Sequence, residues 1–459
     1  MATSRYARVS TSPTSPVNTA LARTGLASGG KNGTIFLHDT TKLDPTERPL
    51  TNRHRAGNAP APNRLDKTAT LSKIATVLIL IRWLQMTRRA RQWLLFLVSS
   101  LAILSSPASA DLDKDLLESY RDGQEQWPPF VVSEGVEAEP LGRLPSPDLP
   151  SWQTPEVEEL GKQLFFDPRL SGSGQLACAS CHDPQLGWGD GRATSFGHDR
   201  RLGTRNAMTL LNVAYVERFF WDGRSSSLEE QALLPIEDPL EMAADLDEVL
   251  ERLNAIPGYR EAFRESLDTP VVTASSLGKA LAAFQRTLVS RPNRFDRFLD
   301  GHGELDDQEI HGLHLFRTRA KCMNCHHGPL LSDGRFHNIG LALVGSRHED
   351  LGRFSITGRE ADKGAFRTPS LRDLTYTKPW MHNGLFVNLR GTLAAYNRGM
   401  QQGHRDGQPE MSPLIKPLEL TPEELDALET FLLTLSERPA RVSPPKLPPD
   451  PGGTSGPET

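Results

Sequence analysis

All four cysteines of the 459-residue chain lie in two copies of one short motif. Each copy has two cysteines three positions apart and a histidine directly after the second: Cys178, Cys181 and His182, then Cys322, Cys325 and His326. Two such thiols can bond covalently to the vinyl groups of a porphyrin, and the adjacent imidazole can then bind the iron. A zinc half-site or a dithiol redox pair explains an isolated C-x-x-C, but not a histidine after both pairs with no cysteine left over. The sequence therefore predicts two covalent c-type haems and no disulfide.

An export signal is expected, because haem is normally attached outside the cytoplasm. Residues 86–110 have the parts of a secretory signal peptide: a basic start, an apolar stretch over 93–104 and small residues up to Ala110. The sequence thus predicts a periplasmic protein whose true start is Met86, with residues 1–85 as a non-native or disordered extension. A membrane anchor is the alternative, but arginines interrupt the apolar run.

The net charge of the chain limits which macromolecules it can bind. Of the 52 basic and 57 acidic residues of the chain, 15 and 4 lie in residues 1–110, which leaves a formal net charge of −16 for the remainder. Nucleic acid is excluded as a partner on this basis, because phosphate binding requires clustered positive charge. An acidic surface can steer a basic electron-donor protein towards the site, although many soluble exported proteins also carry surface carboxylates.

Helices are the elements expected to position the two motifs. Thr154 and the proline after it predict a helix start, with Leu160 and Leu164 on one apolar face. Apolar residues at helical spacing predict further helices over 246–253 and 277–288, and a capping box at 421–424 predicts a last one. Strand signals are sparse. The predicted fold class is mainly α, with two cytochrome c-like haem domains and little β structure.

The two motifs and the composition define the expected domains. After the extension and the signal peptide, residues 111–151 are expected to form a linker or wrapping segment and residues 152–300 an N-terminal haem domain. Residues 301–436 are expected to form a C-terminal haem domain and residues 437–459 a disordered tail. The tail is assigned as disordered because it is rich in proline, glycine and serine.

From about residue 160 to residue 435 the chain resembles the bacterial di-haem cytochrome c peroxidases and their relatives of the methylamine-utilisation MauG type. Besides the two haem motifs, the matching segments are 205–207, 220–224, 228–232, 239–242, 369–372 and 381–384. The resemblance implies a peroxidatic haem in the N-terminal domain and an electron-transfer haem in the C-terminal domain. It leaves a homodimer open.

The resemblance also implies a peroxide-cleaving pocket at the first haem. His182 is the proximal ligand, and Gln231, Pro235 and Glu241 match the positions that line the opposite side in the family. Glu241 is expected to transfer the proton, Gln231 to hydrogen-bond the bound oxygen and Pro235 to shape the cavity. Trp221 matches the residue that lies between the haems. Considered alone, Glu241 is a surface carboxylate and Trp221 a core residue.

Iron ligation separates the two branches of the family. His198 matches a removable sixth ligand of the first haem in many peroxidases, whereas MauG-type relatives keep that position open, and a loop histidine is the alternative. Opposite His326, typical peroxidases have a methionine and MauG-type relatives a tyrosine. The matching residue here is Tyr396, with Met381 and Met400 as alternatives. A phenolate stabilises ferric and higher states, whereas a thioether favours ferrous iron.

A calcium ion is implied by the resemblance alone. Asn206, Thr377 and Pro379 match the family's site between the haems, which uses one side-chain amide oxygen and two backbone carbonyls, and oxygen ligands of this kind suit a hard cation.

The function implied is reduction of hydrogen peroxide with electrons from a small cytochrome c or cupredoxin. One alternative is a MauG-type enzyme that oxidises residues of a protein substrate, and another is a non-catalytic electron carrier. Gln231 and Glu241 argue against the carrier, which needs no acid–base group.

Overall fold

The computed structural model describes residues 114–400 and 407–451. All of them belong to the second of the two units into which the chain divides, residues 106–459. The predicted extension 1–85 and signal peptide 86–110 lie outside the described residues. Within the described ranges, no helix has the length and apolar character needed to cross a membrane.

Helices dominate the described part of the chain, and only one small sheet accompanies them. The α-helices are α1 Lys114–Arg121, α2 Pro155–Phe165, α3 Leu228–Gln231, α4 Leu234–Glu237, α5 Leu246–Ala255, α6 Pro257–Leu267, α7 Ala274–Arg286, α8 Arg294–Leu299, α9 Asp307–Arg317, α10 Phe354–Thr357, α11 Leu389–Asn397 and α12 Pro422–Thr434. Two short strands, β1 Phe336–Asn338 and β2 Ala365–Arg367, pair antiparallel. The predicted mainly helical class with little β structure is confirmed.

Local capping explains why the predicted helices begin where they do. The Thr154 side chain accepts a hydrogen bond from the backbone of Val157, and the proline at the first position of α2 needs no donor there. At α12, Thr421 and Glu424 form the predicted reciprocal capping box. Helix α5 covers the predicted range 246–253, and α7 begins before the predicted range 277–288 and ends two residues before its end.

Two large hydrophobic cores follow the two halves of the chain. The first core includes Leu164 of α2 and Leu281 of α7. The second includes Leu313 of α9 and Phe431 of α12, together with Phe295 of α8, which precedes the boundary expected at residue 301. The second half thus draws part of its core from before that boundary.

The segment expected as a linker or wrapping segment packs on the second core. Leu117 and Tyr120 of α1 are buried in it, and so is Leu141. Further along, Ser133 and Asn324, which lies inside the second cysteine motif, exchange hydrogen bonds at 2.8 and 3.0 Å. The segment therefore covers the second motif directly.

Each core contains a helix pair that meets at a glycine. A Cβ atom on Gly161 of α2 would clash with the carbonyl oxygen of Ala280 in α7, and one on Gly312 of α9 would clash with that of Ala427 in α12. Because only glycine lets the backbones approach this closely, the two halves repeat one packing arrangement. In the sequence, only the two cysteine motifs are evident as a repeat.

We expect Gly312→Ala to lower the free energy of unfolding by about 1–3 kcal/mol, the usual cost of overpacking a core. The intrinsic preference of alanine for helices, about 1 kcal/mol, acts in the opposite direction but cannot relieve a clash with backbone. Urea unfolding of the haem-loaded protein measures the change. Gly142→Ala is the control, because a Cβ there would lie 3.6 Å from Pro329, an ordinary contact. Equal stability of the two variants would contradict the close helix crossing.

The prediction of a disordered tail is wrong for residues 437–451. Val442 packs against the first core, Pro448 lies against Gly258, and Asp450 forms an ion pair with Arg169 at 2.6 Å. A proline-rich segment needs no regular structure to dock in this way, because its fixed φ angles reduce the entropy lost on ordering.

Candidate haem sites and their surroundings

The second cysteine motif opens onto a deep cavity. Cys322–Asn324 form a 3₁₀ turn, and Cys322, Cys325 and His326 all line the cavity. Burial raises the pKa of both thiols to about 12. The Nδ1 of His326 donates to the carbonyl oxygen of Leu331 at 3.0 Å, which leaves Nε2 free to bind a metal.

The first motif repeats this geometry. Cys178–Ser180 form a 3₁₀ turn, and Cys178, Cys181 and His182 line a second cavity. The Nδ1 of His182 donates to the carbonyl oxygen of Trp188 at 2.9 Å. Burial lowers the pKa of His182, so the imidazole is neutral and able to ligate. Both donor sets therefore fit a covalently attached haem with one axial histidine.

The three residues expected opposite His182 do line its cavity. Helix α3 supplies Gln231, α4 supplies Pro235, and the turn that follows α4 supplies Glu241. The Oε1 atom of Gln231 is buried and accepts no hydrogen bond from any described residue. An orphaned acceptor of this kind indicates a polar ligand in the cavity, since buried polar groups are normally paired.

The carboxyl group of Glu241 has an environment suited to proton transfer. Burial raises the pKa of Glu241, the negative charge of Asp238 raises it further, and Arg224 opposes both effects. A carboxyl group whose pKa lies closer to neutrality can both accept and donate a proton at physiological pH.

The structure places His198 beside the first cavity rather than on its wall. Its backbone N–H donates to the carbonyl oxygen of Glu241 at 2.7 Å, but His198 is not one of the residues that line the cavity. The Nδ1 atom is buried without a hydrogen-bond partner among the described residues, and Nε2 lies 3.4 Å from the carboxylate of Asp199. The imidazole is near the site but forms no part of the cavity wall.

The three candidates for the second axial ligand of the other cavity are not equivalent. Tyr396, on α11, and Met381 line the cavity with His326. Met400 is not on the wall and instead packs with Met381 in a small apolar cluster. Burial raises the pKa of Tyr396, with the neighbouring Cys325 contributing. Without a metal the phenol is therefore neutral.

Trp221 is buried on the wall of the second cavity. Its Nε1 donates to the carbonyl oxygen of Asn206 at 2.9 Å, and its own carbonyl accepts from the backbone N–H of Arg367 at 2.8 Å. The indole is thus held in one orientation by the chain on either side.

The three expected calcium ligands also lie on the wall of the second cavity. Asn206, Thr377 and Pro379 line it together. The side-chain Nδ2 of Asn206 donates to the carbonyl oxygen of Arg192 at 2.7 Å. This hydrogen bond fixes the amide group and leaves its Oδ1 as an acceptor for a cation. The structure therefore brings all three to one cavity wall with the amide oxygen available.

A third group of potential metal ligands comprises Cys325, Asp333 and His337, whose ligand atoms lie within 4.8 Å of one another. Asp333 and His337 form an ion pair at 2.7 Å. Because Cys325 belongs to the haem motif, a metal here would compete with haem attachment, and two ligands alone do not form a structural zinc site.

Arg367 is a site residue that the sequence analysis missed. It lies on β2, lines the second cavity and is only 8 % exposed. Burial alone lowers the pKa of Arg367 to about 10, and no described carboxylate pairs with it. A buried cation without a counter-anion is costly, so the cavity is built for an anionic group, and the propionates of a haem meet that need. Only its position next to the matched segment 369–372 could have drawn attention to it.

Comparison with known proteins agrees with this geometry. The family model for di-haem cytochrome c peroxidases matches residues 155–304. The methylamine utilisation protein MauG of Methylorubrum extorquens is 42 % identical over 299 residues, which cover 64 % of this chain and 82 % of that protein. The cytochrome c551 peroxidase of Nitrosomonas europaea is 37 % identical over 268 residues, 57 % of this chain and 79 % of that protein. The crystal structure of a MauG-like protein associated with microbial copper homeostasis has 32 % identity and a TM-score of 0.57, covering 67 % of this chain and 96 % of that one.

Proposed function

Since the chain belongs to the di-haem cytochrome c peroxidase family, we propose that it reduces hydrogen peroxide to water with electrons from a small periplasmic redox protein. It is an oxidoreductase of the cytochrome-c peroxidase type. The observation that carries the proposal is the pair Gln231 and Glu241 in the cavity of His182, with the Gln231 acceptor unpaired. An electron carrier needs no such groups.

Two c-type haems are the cofactors. Cys178, Cys181 and His182 line one cavity and would hold one haem, and the corresponding residues of the second motif, 322–326, would hold the other. When bound, haem iron supplies the redox centre at which the peroxide O–O bond is cleaved and from which electrons are exchanged.

The chain's own residues orient peroxide and move its proton. Glu241 accepts the proton from one peroxide oxygen and donates it to the other, which leaves as water. The free Oε1 of Gln231 accepts a hydrogen bond from the peroxide O–H and fixes its orientation. Pro235 has no backbone N–H, so it cannot donate a competing hydrogen bond to the peroxide. The hydrogen bond from His182 to Trp188 raises the basicity of the imidazole that would bind the iron.

Domain organisation, a calcium ion and cellular location complete the proposed function, each with its own support. Two cytochrome c-like domains are supported by the helix crossing that both halves repeat. A calcium ion bound through Asn206, Thr377 and Pro379 is supported by their shared wall and the free amide oxygen. Periplasmic location is supported by the sequence of residues 86–110.

A second candidate function has its own observation. Tyr396 lies in the second cavity with His326, and a phenolate ligand suits a MauG-type enzyme that withdraws electrons from a protein substrate. Steady-state peroxide turnover, with and without prior one-electron reduction, separates the two. We expect turnover only after reduction for the gated peroxidase. A fully ferric protein that reacts directly with peroxide supports the alternative, and no reaction in either state contradicts both.

Arg367→Met should lower the midpoint potential of the C-terminal haem. A positive charge close to a haem and its propionates favours the reduced state, and no described carboxylate of the protein offsets the charge of Arg367. Spectroelectrochemistry measures the shift, and mass spectrometry verifies that both haems are attached. Arg335→Met removes an equal charge from an exposed position nearby, and we expect no shift there. If both variants retain the original potential, Arg367 does not face a haem propionate.

A further inference from the structure

Two surface loops together expose an unusual number of apolar side chains. One loop, residues 186–202, follows the first haem motif, and the other, residues 376–387, precedes Tyr396. We refer to these two loops as the two-loop face. Its exposed apolar residues, between 44 % and 63 % accessible, are Leu186, Phe196, Leu202, Leu385 and Val387. Isolated exposed apolar side chains are ordinary, but a cluster indicates a binding surface.

Backbone contacts join the two loops. Gly384 lies so close to Ala193 that no Cβ atom would fit between them, and Gly187 approaches the carbonyl oxygen of Tyr376 in the same way. Within the first loop, Phe196 and Leu202 lie opposite each other in an antiparallel bridge. The face is therefore one surface held by backbone contacts.

The charge of the face is opposite to that of the protein. Four exposed cations lie on it, Arg192, Arg200, Arg201 and Lys378, and in the described part of the chain none of them forms an ion pair. Asp199 is the exposed carboxylate among them. Asp183 and Asp190 are half-buried, and each accepts a hydrogen bond from a nearby backbone N–H. Unpaired cations on a chain whose residues after 110 carry a net charge of −16 indicate a local function.

The face is built from segments that lie next to both haem motifs. Its second loop contains Thr377, Met381 and His382, which line the cavity of the second haem motif. Its first loop begins four residues after His182, and its Arg192 carbonyl holds the side chain of Asn206. A protein bound here would contact the segments that enclose both motifs.

We propose that the two-loop face docks the electron donor, and that the donor is a small redox protein with an acidic rim around an apolar contact surface. The proposal rests on the function proposed above. The net charge of the protein favours a basic donor, whereas the charge of this face favours an acidic one. Exposed cations steer an acidic partner during encounter, while the apolar residues form the short-lived contact through which electrons pass. The acidic remainder of the surface repels such a partner from other docking positions.

The test uses the haem-loaded protein and two donors of opposite surface charge, an acidic cupredoxin and a basic c-type cytochrome. We expect the double variant Arg200→Glu and Arg201→Glu to lower the second-order rate constant with the acidic cupredoxin by about tenfold or more, and to flatten its dependence on ionic strength. Isothermal titration calorimetry with the oxidised cupredoxin should show a matching loss of affinity without any turnover. Leu385→Ser should weaken binding while leaving the salt dependence intact.

Arg260→Glu, which reverses one charge at an exposed position on α6, is the control and should behave like the unaltered protein. An equal effect in this control, or an unchanged rate in the double variant, would overturn the proposal. The proposal would also be overturned if the unaltered protein reacted faster with the basic cytochrome than with the acidic cupredoxin. A dimer in sedimentation experiments that the double variant disrupts would overturn it as well. Peroxide turnover with a small chemical reductant reports separately on the proposed function. If turnover fails there, the function is wrong, whereas normal turnover with unaffected donor kinetics refutes the docking face alone.

Discussion

Glu241→Gln slows peroxide turnover by about two to four orders of magnitude, the usual contribution of a positioned acid–base group. The amide keeps the size and the polarity of the side chain but cannot accept the peroxide proton. Because the loss falls on the chemical step, kcat should decrease while KM changes little. Stopped-flow mixing of the reduced protein with peroxide measures the step directly.

Glu237→Gln is the control for this substitution, because Glu237 ends α4 nearby but is exposed. The pH profile supplies an independent check. The base form of Glu241 is needed first, so the rate falls as pH drops through its pKa, and because burial raises that pKa the decline begins at a higher pH than for an ordinary glutamate. Turnover within threefold of the unaltered protein would remove Glu241 from the mechanism.

The sequence was sufficient wherever a local rule determines the structure. Thr154 and Thr421 start helices because their hydroxyl groups cap the first turn, and this depends on a few consecutive residues. Both haem sites could be predicted from the cysteine motifs, because the thiols that attach the haem and the imidazole that binds its iron belong to one short turn. Gln231 and Glu241 required the family resemblance, since nothing in their spacing alone brings them into the cavity of His182.

Features that depend on contacts between residues far apart in the sequence could not be predicted from it. The repeated helix crossing relies on Gly161 and Gly312, and a glycine within a helix has no recognisable signal until its partner backbone is known. Arg367 looks like a surface cation in sequence, and only its burial without a carboxylate marks it as part of the cavity. The tail was predicted from composition, but Asp450 and Val442 dock on the first half through individual contacts.

Tyr396→Met should raise the midpoint potential of the C-terminal haem. A thioether favours ferrous iron, whereas a phenolate favours ferric iron. A shift on the order of 100 mV or more is expected, within the roughly 0.8 V range that axial ligands control. Redox titration monitored by absorbance gives the potential. In the variant, peroxide should no longer oxidise both haems of the ferric protein together, and peroxidase turnover should require prior reduction.

Two further variants assign the ligand. Tyr396→Phe removes the phenol without supplying sulfur, so it should abolish the tyrosinate absorption but give no methionine-ligated spectrum. Met381 lines the same cavity, and Met381→Leu should leave the potential unchanged if Tyr396 is the ligand. The opposite outcome, an altered potential in Met381→Leu and none in Tyr396→Met, would assign the ligation to Met381. The chain would then have the methionine ligand of typical peroxidases, and the MauG-type alternative would lose the support that Tyr396 gives it.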